Sequence, residues 1–177
     1  MKKTTGIIVS LLLCAAANAT AQDQSTLDLF RYDPVRYFTG ASNRQWTGNV
    51  QFMLTDYSDT LTLAADPAKG SLLIYRRLFR LEDSALVSLG SGTVVPDPGD
   101  TTYSVRWNEK GYAEASGQMH WRDGQWEIAF DGEWNQWSLI IRRESDFSFS
   151  ASLARAVGQF PPVELAKMTY NAIPGEK

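Results

Sequence analysis

The segment GQMHWRDGQWEIAF, residues 117–130, alternates apolar and polar side chains on both sides of the pair Asp123-Gly124. Asp-Gly favours a two-residue turn between antiparallel strands, because both central residues of such a turn need a positive φ. The turn predicts the cross-strand pairs Arg122 with Gln125, Trp121 with Trp126 and His120 with Glu127. We therefore expect the apolar face, which carries both tryptophans, to point into the protein, and His120 and Glu127 to point outward.

The same alternation extends over most of the chain around this hairpin. In residues 147–153, FSFSASL, the phenylalanines, alanine and leucine share one face and the serines share the other. Segments rich in Gly, Pro and Asp, such as residues 66–70 and 90–99, separate the alternating runs. Short alternating runs at close spacing are typical of an antiparallel meander. We predict an all-β protein, an antiparallel meander that closes into a barrel of about eight to ten strands.

The segments that flank the predicted strands have a different pattern. Residues 22–40 form a lead-in in which Pro34 limits the length of a helical turn. Near the other end, Pro161-Pro162 can open a helix and Pro174-Gly175 would stop it. The apolar side chains between them fall on one helical stripe: Val163, Ala166, Tyr170 and Ile173. We expect a short C-terminal helix, residues 161–173, that packs against the barrel.

Residues 1–21 have the three parts of a secretory signal peptide. The positive start, the apolar stretch and the cleavage site are Lys2-Lys3, residues 7–17 and Ala19-Thr20-Ala21. We expect cleavage after Ala21, a single β-barrel domain over residues 22–177, and a periplasmic or secreted protein. The one cysteine of the chain, Cys14, lies within this leader, and a lipoprotein attached through Cys14 is the alternative.

The composition argues against several classes of function. Lys and Arg total 17 against 20 Asp and Glu, so the net charge of −3 lacks the basic excess typical of nucleic-acid binding. One histidine and one cysteine exclude a multi-histidine metal centre and an internal disulfide framework. No Gly-x-Ser-x-Gly, Gly-x-Gly-x-x-Gly or phosphate-binding loop is present. A transmembrane helix needs about twenty apolar residues, and the sequence contains no stretch of that length. We expect no cofactor, no metal and no catalytic residue.

The hairpin before residue 117 bears on whether the barrel holds a cavity. Its apolar face carries Tyr103, Val105 and Trp107, and a three-residue loop, Asn108 to Lys110, would place them opposite Ala115, Ala113 and Gly111. A four-residue loop would instead set Val105 against Glu114 and bury a charge. With Gly117, four successive inward positions are small. Small positions either accommodate large neighbours or leave space for a ligand, and both interpretations remain open.

Residues 71–81 form a strand candidate with an arginine on its more apolar face. That face carries Leu73, Tyr75, Arg77, Phe79 and Leu81. An arginine inside a barrel needs an anionic partner, because burying an unpaired charge costs several kcal/mol. Three alternatives remain: Arg77 pairs with an internal acid, holds the carboxylate of a ligand, or reaches water at the mouth of the barrel. Arg143 raises the same question near the end of a later strand.

The chain resembles the lipocalin-like barrels in four features: a lead-in with Phe38-Thr39-Gly40, Trp46 at the start of the first strand, an antiparallel meander and a C-terminal helix. Lipocalins carry Gly-x-Trp in the first strand and a late arginine that packs on this tryptophan. Here Gly40 lies six residues before Trp46, and Arg142 or Arg143 would be the late arginine. The resemblance implies a cup-shaped barrel that holds a small apolar or amphipathic molecule.

We therefore predict a protein that binds a small hydrophobic or amphipathic ligand inside the barrel, in preference to an enzyme. The predicted ligand-binding residues are Tyr75, Arg77, Phe79, Trp107, Ala115, Trp121 and Trp126. One alternative is a barrel filled with side chains that serves as an interaction or assembly module, and a less favoured one is an enzyme that uses His120 and Glu127. An outer-membrane barrel is disfavoured, because the strand at residues 125–130 is shorter than the about 9–11 residues that span a bilayer.

Overall fold

The computed structural model describes residues 27–40, 43–99 and 101–174. The predicted signal peptide, residues 1–21 with Cys14, lies outside the described residues. Residues 27–32 are helical, in agreement with the helical turn expected in the lead-in.

After this helical segment, a separate short helix, which we label α1 (Pro34–Thr39), begins directly after Asp33. The Asp33 carboxylate caps it by accepting a hydrogen bond of 3.0 Å from the backbone amide of Arg36. Pro34 fits the first turn of α1, because the amides of that turn have no partner within the helix. The proline thus separates the two helical segments and redirects the chain toward the first strand.

The rest of the described chain is almost entirely β-structure. Within the described residues there are ten strands: β1 (Arg44–Phe52), β2 (Thr55–Asp66), β3 (Ser71–Arg80), β4 (Leu86–Pro96), β5 (Tyr103–Glu109), β6 (Ala115–Arg122), β7 (Gln125–Phe130), β8 (Trp137–Ser145), β9 (Ser148–Arg155) and β10 (Val163–Ala172). One turn of 3-10 helix, Gly132–Trp134, lies between β7 and β8.

Each strand pairs in antiparallel fashion with the next, and β1 also pairs with β10, so that the sheet closes into a barrel. Closure gives each of these strands a paired neighbour on both sides. The predicted all-β class and the antiparallel barrel of eight to ten strands are confirmed.

The hairpin that joins β6 and β7 has the predicted register. His120 lies opposite Glu127 and Trp121 lies opposite Trp126. Asp123 and Gly124 have φ angles of 51° and 81°, as the two-residue turn requires. Trp126 is buried and His120 is exposed, so the inward and outward faces of this hairpin are also as predicted.

The prediction of a C-terminal helix over residues 161–173 is wrong, because this segment forms β10 between β1 and β9. The sequence there also has a period of two, with Ala166, Met168 and Tyr170 inward and the residues between them exposed. A helix would leave the facing edges of β1 and β9 without hydrogen-bond partners, and a tenth strand satisfies both. Closure of the barrel therefore outweighs the helical stripe.

The expected three-residue loop between β5 and β6 is also wrong. Trp107 lies opposite Ala115 and Val105 lies opposite Gly117, so the register is shifted by four residues, although the inward faces stay the same. The Trp107 ring packs over two glycines of β4: a Cβ atom at Gly90 would lie 2.4 Å from it, and one at Gly92 2.6 Å. The small residues that accommodate this tryptophan thus lie on β4 as well as on β6.

The barrel has two different ends. The capped end carries the helical lead-in and the turns β2–β3, β4–β5, β6–β7 and β8–β9, whereas the open end carries the loops β1–β2, β3–β4, β5–β6, β7–β8 and β9–β10. Phe30 of the lead-in is fully buried at the capped end, with its ring centroid 4.8 Å from that of Tyr37. Its carbonyl accepts a hydrogen bond of 2.7 Å from Trp126 Nε1, and the Phe38 carbonyl accepts one of 2.9 Å from Trp46 Nε1.

The cation that lies over the ring of Trp46 is Arg44 of the same strand, with 5.6 Å between the guanidinium carbon and the ring centroid. Arg142 donates a hydrogen bond to Gln125, and Arg143 forms an ion pair of 2.7 Å with Asp146 in the β8–β9 turn. Arg44 therefore makes the cation–π contact for which a late arginine was expected.

Candidate functional site at the open end of the barrel

The loops of the open end expose large apolar side chains, which we call the apolar rim. Its members come from four of the five loops: Met53, Leu54, Leu81, Tyr112, Val157 and Phe160. Leu54 is 99% exposed and Phe160 is 75% exposed. In the described turns of the capped end the exposed large apolar residue is Phe147, and Arg44 covers its ring. Large exposed apolar patches mark sites of ligand or partner binding, and the apolar rim concentrates such side chains at one end of the barrel.

The inner wall of the barrel is partly open to solvent near the apolar rim. Inward-facing side chains of the capped half, such as Trp46 and Trp126, are buried. In the open half, inward-facing Leu78, Phe130 and Leu139 are only half-buried. These side chains face the interior and are nevertheless partly accessible to solvent.

A cluster of polar side chains lies on the inner wall below this opening. Asp59 of β2 is fully buried, and its Oδ2 atom accepts two hydrogen bonds of 2.7 Å, one from Arg76 Nε and one from Tyr170 Oη. Its Oδ1 atom is buried and accepts no hydrogen bond from the described residues. The strands β2, β3 and β10 thus bring one acid, one base and one phenol together.

Glu109 at the end of β5 extends the cluster toward solvent. Its Oε2 atom accepts a hydrogen bond of 3.2 Å from Trp107 Nε1 and lies 3.7 Å from Arg76 Nη1. The Ser88 hydroxyl donates to its Oε1 atom. The side chains of Arg76 and Glu109 are 17% and 20% exposed, whereas Asp59 is enclosed. We call Asp59, Arg76, Glu109 and Tyr170 the polar cluster.

The protonation states of the polar cluster follow from burial and from Asp59. Burial raises the pKa of Tyr170 well above its usual value, and the neighbouring Asp59 carboxylate raises it further. Burial opposes the charge on Arg76, but Asp59, with Tyr170 and Glu109, raises the pKa of this guanidinium above its usual value. Tyr170 is therefore a neutral donor and Arg76 a cation, and the cluster holds one more acid than base.

Four of the predicted ligand-binding residues face the interior of the barrel. Trp107 and Ala115 lie opposite each other on β5 and β6, toward the open end. Trp121 and Trp126 lie opposite each other at the capped end, where their rings pack against each other with centroids 5.3 Å apart. The Phe30 ring packs edge-on against Trp121 at 5.6 Å, so this pair belongs to the closed part of the core.

The inward orientation expected for Tyr75, Arg77 and Phe79 is wrong. Tyr75 is 54% exposed and, with Arg77 and Lys110, lines an open concavity of about 740 Å³ on the outer surface. Leu72, Ile74, Arg76 and Leu78 form the inward face of β3 instead, where they lie beside buried partners such as Leu63. Both faces of SLLIYRRLFR carry apolar side chains and at least one arginine, so the pattern of β3 alone does not decide between them.

The residue that decides the orientation of β3 is Asp59. It alternates with Tyr57, Leu61 and Leu63 on the inward face of β2, and it supplies the internal acid that an inward arginine needs. That inward arginine is Arg76, one residue before the predicted Arg77. The sequence signal that could have found it is the acid within the apolar face of β2.

Other candidate sites have no support from the geometry. His120 is exposed on the outer surface opposite Glu127, away from the polar cluster. Among residues 27–40, 43–99 and 101–174, no group of three His, Cys, Asp or Glu side chains is placed to hold a metal ion. In the same ranges no helix is long and apolar enough to cross a membrane.

Comparison with known proteins supports the fold. No protein-family model matches the chain, and no curated protein matches its sequence. The crystal structure of Rv2717c from M. tuberculosis matches with a TM-score of 0.56 at 10% identity, over 81% of this chain and 98% of that chain. The S-type phycobiliprotein lyase CPES from Guillardia theta matches with a TM-score of 0.48 at 7% identity, over 80% of this chain and 91% of that chain. At such identities the likeness to Rv2717c concerns the fold alone, and with the closed antiparallel barrel it supports a lipocalin-like fold for this chain.

Proposed function

We propose that this protein binds a small hydrophobic or amphipathic molecule inside the open half of its barrel. The observation that carries this proposal is the arrangement of the open end: an apolar rim, half-buried inward-facing apolar side chains, and a polar cluster below them. Ligand sites in proteins commonly combine a mostly apolar wall with a few polar groups that fix orientation.

In this proposal the apolar part of the ligand covers Leu78, Phe130 and Leu139, and the polar part faces Arg76 and Glu109. Burial of apolar surface contributes about 25 cal/mol per Å², so a modest alkyl chain supplies enough free energy for micromolar binding. The leader at residues 1–21 supports a periplasmic or secreted location, where such a protein would carry or store its ligand.

The first test is native mass spectrometry of the mature protein purified from a periplasmic extract, followed by denaturing analysis of any released molecule. We expect a reproducible excess mass that leaves as a small apolar compound. We also expect the neutral fluorescent probe N-phenyl-1-naphthylamine to bind with increased emission, and the natural ligand to compete with it.

Two leucines of β3 offer a matched pair of variants for this test. Leu78 faces the open interior and Leu73 faces outward, and both are half-buried. Leu78→Gln removes apolar wall from the proposed site and should weaken probe binding about fivefold to tenfold, whereas Leu73→Gln should leave it unchanged. Equal effects of the two variants, or no binding of probe and natural ligand, would contradict the proposal. The apolar rim would then fit a contact surface for a partner protein.

A further inference from the structure

The polar cluster also bears on the chemistry of the ligand, in an inference that rests on the proposed function. We infer that the head group of the ligand is neutral or cationic and donates hydrogen bonds, as a primary ammonium or a hydroxyl does, and that it is not a carboxylate or phosphate. The head group contacts Glu109, the acid of the cluster that solvent reaches.

The first reason is the balance of charge. Asp59 and Glu109 share one guanidinium, that of Arg76, at 2.7 Å and 3.7 Å. Two further arginines on the inner faces of their strands lie at the open end. Arg80 pairs with Asp83, and Arg155 lies over the ring of Trp137, so neither compensates the polar cluster. The polar cluster therefore keeps one uncompensated acid at the place where the ligand would end. A cation there is attracted and an anion is repelled.

The second reason is the balance of hydrogen bonds. Each carboxylate oxygen can accept about two hydrogen bonds. Asp59 Oδ1 is buried and accepts none from the described residues, and Asp59 Oδ2 already holds both Arg76 and Tyr170. The cluster thus holds more acceptor capacity than donors, and this balance favours a donating head group over a further acceptor.

Arg76 does not reverse this preference for a donor. Its Nε atom is held by Asp59, and that carboxylate compensates its charge. A ligand carboxylate that approached Arg76 would stand beside Glu109 and close to Asp59, with a single cation among three anions. Partly desolvated like charges at this spacing destabilise one another.

Three probes with the same twelve-carbon chain separate the head groups: dodecylammonium, dodecanol and dodecanoate. Each is titrated at neutral pH as a competitor of bound N-phenyl-1-naphthylamine, the two ions below their micelle concentrations and dodecanol below its solubility limit. We expect dodecylammonium to bind most tightly and dodecanoate most weakly, with about tenfold or more between them, as expected for a charge-assisted hydrogen bond.

Variants show whether this order arises at the polar cluster. Glu109→Gln removes the reachable acid and should weaken dodecylammonium about tenfold while changing dodecanol much less. Glu127→Gln on the outer surface is the matched control and should change neither probe. The probe order in the unaltered protein remains a test if Glu109→Gln fails to fold.

The outcomes distinguish this inference from the proposed function. If dodecanoate binds most tightly, or if Glu109→Gln weakens all three probes equally, the donor head group is refuted and the binding site at the open end stands. If none of the three probes competes and none binds directly, both proposals are refuted.

Discussion

The two ends of this barrel are built from the same ten strands, yet they use aromatic and polar residues in opposite ways. At the capped end the indole nitrogens of Trp46 and Trp126 donate to backbone carbonyls of the lead-in, and the rings are buried. At the open end the indole of Trp107 donates to Glu109, which solvent reaches, while apolar side chains such as Phe160 are exposed to solvent.

Under the proposed function, this difference separates the residues that stabilise the fold from those that bind the ligand along the axis of the barrel. A fully buried aromatic core excludes water and has no room for a guest, because interiors are close-packed. A charged cluster beneath an exposed apolar rim contributes less to stability and leaves groups available for contact. The contrast predicts that mutations at the two ends have different consequences.

Two phenylalanines test this contrast with the largest expected effect. Phe30 is fully buried at the capped end and Phe160 is 75% exposed at the open end. Phe30→Ala should lower the free energy of unfolding by about 3–5 kcal/mol, because it leaves a cavity in the aromatic core. Phe160→Ala should change it by about 0.5 kcal/mol or less. Urea unfolding followed by tryptophan fluorescence measures both, and comparable losses would mean that the ends do not differ in this way.

Alkaline pH should destabilise the capped end through Tyr37. Burial raises the pKa of Tyr37 to about 12, and its hydroxyl donates a hydrogen bond of 2.9 Å to the Ser145 carbonyl. The unfolded chain ionises this phenol near pH 10, so its stabilisation is complete below about pH 10 and is lost as pH rises to about 12. The loss amounts to about 3 kcal/mol. Urea unfolding at pH 8 and pH 11.5 tests this, and Tyr37→Phe should reduce the pH dependence without abolishing it, because the pKa of Tyr170 is also raised; an unchanged slope would argue against it.

Loss of one hydrogen bond in the polar cluster, that of Tyr170, should lower the stability of the protein by a smaller amount. Tyr170→Phe removes one of the two donors to the buried Asp59 and should lower the free energy of unfolding by about 2 kcal/mol, as for other hydrogen bonds to charged groups. Tyr75→Phe on the outer surface is the matched control, since this side chain is more than half exposed. Chemical denaturation of both variants compares them, and equal stabilities would show that the Tyr170 hydroxyl adds nothing to the fold.

The parts of the fold that local sequence determines were predictable. The Asp123-Gly124 turn sets its own register, so the pairing of His120 with Glu127 followed from neighbouring residues alone. The inward face of Trp107 and Trp121 followed from alternation, because on these strands one face is clearly more apolar than the other.

The features that failed depend on partners far along the chain. The orientation of β3 is set by Asp59 on another strand, and its own two faces look alike. The sequence of the segment that forms β10 fits a helix as well as a strand. Its pairing with β1 and β9, which closes the barrel, decides in favour of the strand. The polar cluster combines both problems, since Tyr170 lies on β10 and Arg76 on β3, and it was therefore not found from the sequence.

The pairing of β1 with β10 has a consequence for the order of folding. Neighbouring hairpins form from local segments, but Trp46 meets Ala172 only after the whole intervening chain has been arranged. The hydrogen bond from Tyr170 to Asp59, which joins residues 111 positions apart, belongs to this last step. A chain that has formed every hairpin but has not yet closed lacks this bond and with it the complete polar cluster.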